Sequence, residues 1–246
     1  MLNQKFDFVV SIGEDCACAM YLNRFGLRAR SYPFDWLCNA SFETRINLIL
    51  NNFHGFLVRE NMRWFPKPTS GLRDTQNENY EDTATGFYFY HDFTSNVDFD
   101  VIFPYVHEKY MRRIARFYDA IKNSRTVLFV WWSRDKIIPL QNIIDAQRQL
   151  SEKFNKQINM LIFEHAPDSE LQVDNVTEHI VIARGHLTVP ENTTVGNEKL
   201  CNQVFKKIRR TNTWKIRVIK IVCGMIPYRP WRKNLRAHAI AHCQKY

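Results

Sequence analysis

The 246-residue sequence has no acidic residue after Glu198, no apolar run long enough to cross a bilayer and no cysteine pairing of the structural-zinc kind. Each absence excludes something. A membrane-spanning helix needs about 18 uncharged apolar residues in a row, so a helical membrane span is excluded. The opening "MLNQKFDFVV" has an acid at Asp7 and no basic leader region, so no signal peptide is expected. Cys16 and Cys18 are spaced C-x-C, and no second Cys or His pair accompanies them, so no metal and no cofactor are expected. The six cysteines (16, 18, 38, 201, 223 and 243) are scattered along a chain too long to need staples. They read as free thiols in a reducing, cytoplasmic compartment. There is no internal repeat and no low-complexity block.

What is present is charge asymmetry. The net charge of +9 arises at the C-terminus: residues 199–246 hold 13 Lys and Arg and no Asp or Glu. The part before them holds 21 basic against 25 acidic residues, a net of −4. The division expected is therefore an α/β catalytic-type domain over 1–198 and a basic amphipathic segment over 199–246. With 45% apolar residues and 14% aromatics over its whole length, the chain can fill a core.

Periodicity organises that part. Residues 6–12, "FDFVVSI", read as a buried strand, and 15–25 as a helix stopped by Gly26. "SYPFDW" (31–36) reads as a Pro-anchored turn, and 41–53 as a helix capped by Ser41. The polar stretch 60–86 reads as a long loop. Then come an aromatic strand (87–93), an amphipathic helix (106–122), a fully apolar strand (126–132), a helix (139–154) and strands at 158–165 and 179–183. A further helix is expected at about 195–210. Strand–helix alternation predicts a mostly parallel sheet flanked by helices in a three-layer sandwich; the alternative is a papain-like α+β fold.

Candidate chemistry gathers at the first strand–helix junction, "SIGEDCACAM" (11–20). A thiol at a helix N-terminus meets partial positive charge and backbone N–H groups, which favour thiolate and can hold an oxyanion. Cys16 is therefore the candidate nucleophile, although Glu14 and Asp15 place negative charge beside it. Cys18 lies about 200° around the helix and reads as core. His91, at the end of the aromatic strand, is the candidate base, with His165 and His186 as alternatives. Asp35 is the candidate third group, with Asp92, Asp135 and Glu164 also open. Asp15, Trp36 and Asp92 are candidate substrate contacts. The "GEDC" junction also suits an acyl hydrolase or acyltransferase built on a thiol.

These motifs resemble the bacterial DUF1796-type family of papain-like cysteine peptidases. The resemblance is carried by Ser11, Ile12 and Gly13, Cys16, Gly26-Leu27-Arg28, then Ser31, Pro33, Phe34, Asp35 and Trp36, with His91-Asp92-Phe93 as a second motif. "YMRRIARFYDAIKNSRTVLFVWWSR" is a third. Coverage runs over roughly residues 6–165. The resemblance implies a cysteine hydrolase in which Cys precedes His along the chain, acting on an acyl or peptide substrate.

The tail points elsewhere. Apolar Ile216, Val218, Ile219, Ile221 and Val222 interleave with Lys215, Arg217 and Lys220, and Trp214, Tyr228 and Trp231 add interfacial aromatics. This pattern suits an anionic membrane surface; nucleic acid ranks lower because the charge is confined to the terminus. "IPYRPWRKNLR" resembles the ending of bacterial surface-glycan assembly enzymes, which implies a peripheral place on the inner membrane. The alternative function is thus a glycan-assembly transferase, or a membrane-docked accessory protein, with a structural Cys16.

Overall fold

The computed structural model describes residues 3–66, 76–133, 137–166, 172–185, 187, 198–211 and 213–244. The chain opens with β1 (Lys5–Phe6), β2 (Phe8–Ser11) and α1 (Cys16–Arg24). A 3-10 turn at Pro33–Trp36 leads into β3 (Leu37–Asn39) and α2 (Phe42–Leu50). β4 (Met62–Phe65), β5 (Asn77–Asp82) and β6 (Phe87–Thr94) precede the long α3 (Phe99–Lys122). Next come β7 (Val127–Trp132), α4 (Leu140–Phe154), β8 (Ile158–His165), β9 (Gln172–Asn175) and β10 (Ile180–Gly185). The chain closes with α5 (Glu198–Phe205), β11 (Arg209–Arg210), α6 (Thr213–Gly224) and α7 (Arg229–Gln244).

Three sheets result. The five-stranded sheet has the order β2-β7-β8-β10-β9; its first four strands run parallel, and β9 joins antiparallel at the edge. A separate four-stranded antiparallel sheet has the order β3-β6-β5-β4. β1 and β11 form a short parallel pair. The expectation of a mostly parallel sheet is corrected to a mixed α/β fold, because the residues between α1 and α3 build an antiparallel sheet of their own. The loop expected over 60–86 is corrected too: it contains β4 and β5. "NENYED" carries no strand signal because the two residues it buries, Asn79 and Asp82, are both polar, so it lacks an apolar alternation.

β7 shows why the central sheet holds. All six residues of "VLFVWW" are buried. Phe129 and Trp131 join the cluster containing Ile114 and Phe117 of α3 and Ile143 of α4. Leu128, Val130 and Trp132 join the opposite cluster, with Tyr21 and Leu22 of α1. Alternate side chains thus feed two cores, as a strand covered on both faces requires. Each such side chain contributes about 1.5–3 kcal/mol by leaving water.

The division expected after residue 198 falls inside this framework. α5 supplies Cys201, Val204 and Phe205 to the second core, and β11 is paired to β1. The helix expected over 195–210 is shorter, and the remaining chain forms α6 and α7.

Candidate functional site

The turn between β2 and α1 places the first candidate residues at the carboxyl end of the central sheet, where sites in such sheets collect. Gly13 makes the turn possible by its lack of a side chain. A Cβ there would sit 2.6 Å from the Cys18 Cβ and 3.3 Å from the Trp132 Cβ. Its φ is ordinary, so the requirement is close approach and not backbone freedom. Asp15 is the N-cap of α1, its Oδ1 accepting from the Ala17 amide at 2.8 Å. Cys16 is the first helical residue and half-buried. Glu14 turns toward β7, where the Ser133 hydroxyl donates to its Oε2 at 2.6 Å. Asp15 therefore stands at Cys16 as a cap for the helix.

Among the other described thiols, Cys18, Cys201 and Cys223 are buried. Cys18 donates to the Val130 carbonyl at 3.4 Å, and burial pushes its thiol well above the ordinary range. Cys243 lies outside the residues whose side chains are described.

Cys38, which no motif in the sequence singles out, stands next to Cys16. The Asn39 amide donates to the Glu14 carbonyl at 3.1 Å, drawing the end of β3 against the start of α1. The Cys16 backbone amide hydrogen-bonds the Cys38 sulfur. Burial pushes the Cys38 thiol up to about 12, aided by the neighbouring Cys16 and Asp15 and opposed by Arg45 and that amide. The amides expected to serve an oxyanion are thus engaged in part, Cys16's by sulfur and Ala17's by Asp15.

Arg45 ties this corner together. It is fully buried in α2, and its guanidinium donates to the carbonyls of Ala40 (3.1 Å), Glu14 (3.1 Å) and Leu37 (3.3 Å). The rings of Phe34, Phe87 and Trp131 enclose it, the nearest centroid 4.7 Å away. Burial lowers its pKa to about 10, still a cation at neutral pH. A signal was present in the sequence. Arg45 falls three residues after Phe42 and four before Ile49, on the apolar stripe of its helix.

The "PFDW" turn faces two ways. Asp35 is wholly buried; its Oδ2 accepts from Arg28 Nε at 2.6 Å and from the Tyr32 amide at 2.9 Å, while its Oδ1 has no hydrogen-bond partner. Burial raises its pKa despite the Arg28 guanidinium. Trp36 is half-buried, with Arg28 over its ring at 5.4 Å and His91 edge-on at 6.0 Å. Asp35 therefore holds Arg28, Arg28 lies over Trp36, and Trp36 lies edge-on to His91.

His91 owes its exposure to an irregularity in β6. Tyr80 pairs with Phe89 and Glu78 with Phe93, so Tyr90, His91 and Asp92 lie opposite Asn79 alone. Regular alternation from Phe87 and Phe89 would bury residue 91 and expose residue 92. The bulge reverses this: His91 is exposed and Asp92 buried. Asp92 accepts from Lys109 Nζ at 2.6 Å and from the Tyr110 hydroxyl at 2.7 Å, which pins β6 to α3. That arrangement occupies the carboxylate expected to touch substrate. On the Cys38 side of the same strand, Tyr88, opposite Cys38, and Tyr90 pack against Phe65 at 4.9 and 5.9 Å. This aromatic surface lies between Cys38 and His91 along β6, and sequence reasoning missed it.

The remaining candidates serve structure or fall outside view. Glu164 is buried, accepting from Arg184 Nε at 2.9 Å and from the Ile138 amide at 3.3 Å. His165 Nδ1 accepts from the Leu187 amide at 2.8 Å. Asp135 and His186 lie outside the described residues. Among the described residues no group of three or more His, Cys, Asp or Glu is placed to hold a metal ion.

Comparison with known proteins bears on this corner. A family model described as "Putative papain-like cysteine peptidase (DUF1796)" matches residues 7–166. The uncharacterized protein R408 of Acanthamoeba polyphaga mimivirus is 26% identical over 179 residues, 65% of this chain and 78% of that protein. No solved structure matches. The viral source of that relative gives the expected bacterial attribution no support. The matched span holds Cys16, Asp35, Cys38 and His91, and it ends before α5.

Proposed function

The chain belongs to the DUF1796 family, and on that premise we propose that it is a cysteine-dependent hydrolase with Cys16 as nucleophile and His91 as base. The observation that carries the reading is Cys16 itself. It is a half-buried thiol at the first position of α1, at a strand–helix junction, while its described neighbours Cys18 and Cys38 are held protonated by burial. The helix N-terminus favours its thiolate.

The step is an acyl transfer to sulfur. The imidazole takes the thiol proton, the thiolate forms a C–S bond to the substrate carbonyl, and the tetrahedral species collapses as the imidazolium protonates the leaving group. Water then attacks the thioester, the imidazole accepts its proton, and the acid product leaves with Cys16 restored. The half-buried Trp36 beside the exposed His91, and the Tyr88–Tyr90 surface, offer apolar contact to the acyl or peptide part. Asp35 is a positioning residue, acting on His91 through Arg28 and Trp36. The scattered spacing of the six cysteines suits a reducing, cytoplasmic setting.

The test is turnover of a panel of peptide, ester and thioester substrates by the full chain and by Cys16→Ala, Cys16→Ser and His91→Ala. Cys16→Ala abolishing turnover while His91→Ala lowers it and shifts the pH profile supports the reading. Turnover surviving Cys16→Ala overturns it.

A further inference from the structure

α6 and α7 lie outside the matched family span and outside both main cores. No helix among the described residues is long and apolar enough to cross a membrane. Yet these two helices leave a row of large apolar side chains in water. On α6 and the turn after it, Val218, Ile221, Val222 and Met225 are exposed, with Ile221 at 62% and Met225 at 77%. On and just before α7, Tyr228, Trp231 and Leu235 are exposed, with Trp231 at 71%.

The spacing groups these side chains on each helix. Val218 and Val222 on α6, and Trp231 and Leu235 on α7, are four residues apart, so each pair lies along one helical face, and Met225 and Tyr228 flank them in the turn between the helices. The reverse face of α6 is accounted for: Cys223 is buried, and Ile219 packs against Ala29 behind α1. The exposed group is therefore not the side that docks the hairpin on the body. Tyr228 and Trp231 sit edge to face at 5.9 Å, a pair suited to the headgroup boundary.

Charge selects the occupant. From residue 199 onward there are 13 basic residues and no acidic one. Arg229, Arg232, Lys233 and Arg236 all belong to α7. We propose that the α6–α7 hairpin is a docking surface for an anionic phospholipid bilayer, its exposed apolar side chains entering the headgroup boundary and its Lys and Arg meeting lipid phosphates. Nucleic acid would satisfy the cations and could stack on Trp231, but it would leave Val218, Ile221, Val222, Met225 and Leu235 without an apolar partner. A lipid surface satisfies both.

The full chain is sedimented with phosphatidylcholine vesicles, with and without phosphatidylglycerol. Partition is expected to rise about tenfold or more with the anionic lipid and to fall with added salt. Two surface variants separate the contributions: I221E/W231E removes apolar insertion, and R232E/R236E reverses two cations. Each is expected to lower partition about tenfold with an unchanged thermal transition, since the substituted side chains lie outside both cores. Partition that ignores phosphatidylglycerol overturns the proposal. So do variants that sediment like the wild type, or a chain that leaves vesicles alone and retards a single-stranded oligonucleotide.

Discussion

Replacing Gly13 by alanine tests how rigidly the fold sets the nucleophile. The added Cβ would stand 2.6 Å from the Cys18 Cβ, about 0.8 Å short of the 3.4 Å at which ordinary contact begins. The Trp132 Cβ stands 3.3 Å away. Both neighbours are fully buried, so neither side can yield cheaply. Overpacking of this kind costs about 1–3 kcal/mol, and two fully buried neighbours place it near the upper end. For a chain of this size that lowers the thermal midpoint by roughly 5–10 °C. The relief, if it comes, is an outward shift of α1, which carries Cys16 with it. Differential scanning calorimetry of Gly13→Ala measures the cost, and a cycle with Cys18 identifies its source. Cys18→Ala keeps the offending Cβ and should leave most of the penalty in place. Cys18→Gly removes the Cβ and should make the double variant lose less than the two singles together. Full additivity of Gly13→Ala with Cys18→Gly would refute the steric account.

Arg45→Met removes a buried cation that three carbonyls share, and should cost about 3–4 kcal/mol in urea unfolding, the lost charged hydrogen bonds outweighing relief of burial; unchanged stability would contradict the role given to it. Asp92→Ala strips the acceptor from the buried Tyr110 hydroxyl and should cost about 2–3 kcal/mol, part of it recovered in the double variant with Tyr110→Phe. Cys38, with its thiol near 12 against an ordinary 9.0, should alkylate about a thousandfold more slowly than a free thiol below pH 9. Because that pKa is raised by folding, the stabilising contribution of the protonated thiol is complete below pH 9 and declines as pH climbs toward 12, which a urea midpoint series on wild type and Cys38→Ala resolves.

The four parallel strands of the central sheet were legible because they are largely apolar and the helices between them keep a 3.6-residue period, as "VLFVWW" and "INMLIFEH" show; the antiparallel edge strand β9, "QVDN", was not, because it is polar and only partly buried. The antiparallel sheet was not, because β5 is largely polar and offers no apolar alternation. Among site residues, Cys16 could be placed at a helix start from the small-residue turn before it and the Asp15 cap. The neighbourhood of Cys16 could not be foreseen. Cys38 arrives there through strand pairing with β6, a contact between residues 50 positions apart, and Arg45 hides within an otherwise regular helix. The bulge that turns His91 outward and Asp92 inward leaves no mark in the sequence, since it depends on which residue of β5 lies opposite. Asp35 looked like an imidazole partner on chemistry alone, and the fold instead engages it with Arg28.

The account turns on Cys16 being the reactive thiol. Its most direct test is the alkylation rate of every cysteine in the native full chain, read by peptide mass spectrometry after brief iodoacetamide exposure at neutral pH. The account predicts Cys16 labelled first, at least about tenfold ahead of Cys18, Cys38, Cys201 and Cys223, and slowed in His91→Ala; Cys16 labelling no faster than those four would contradict it.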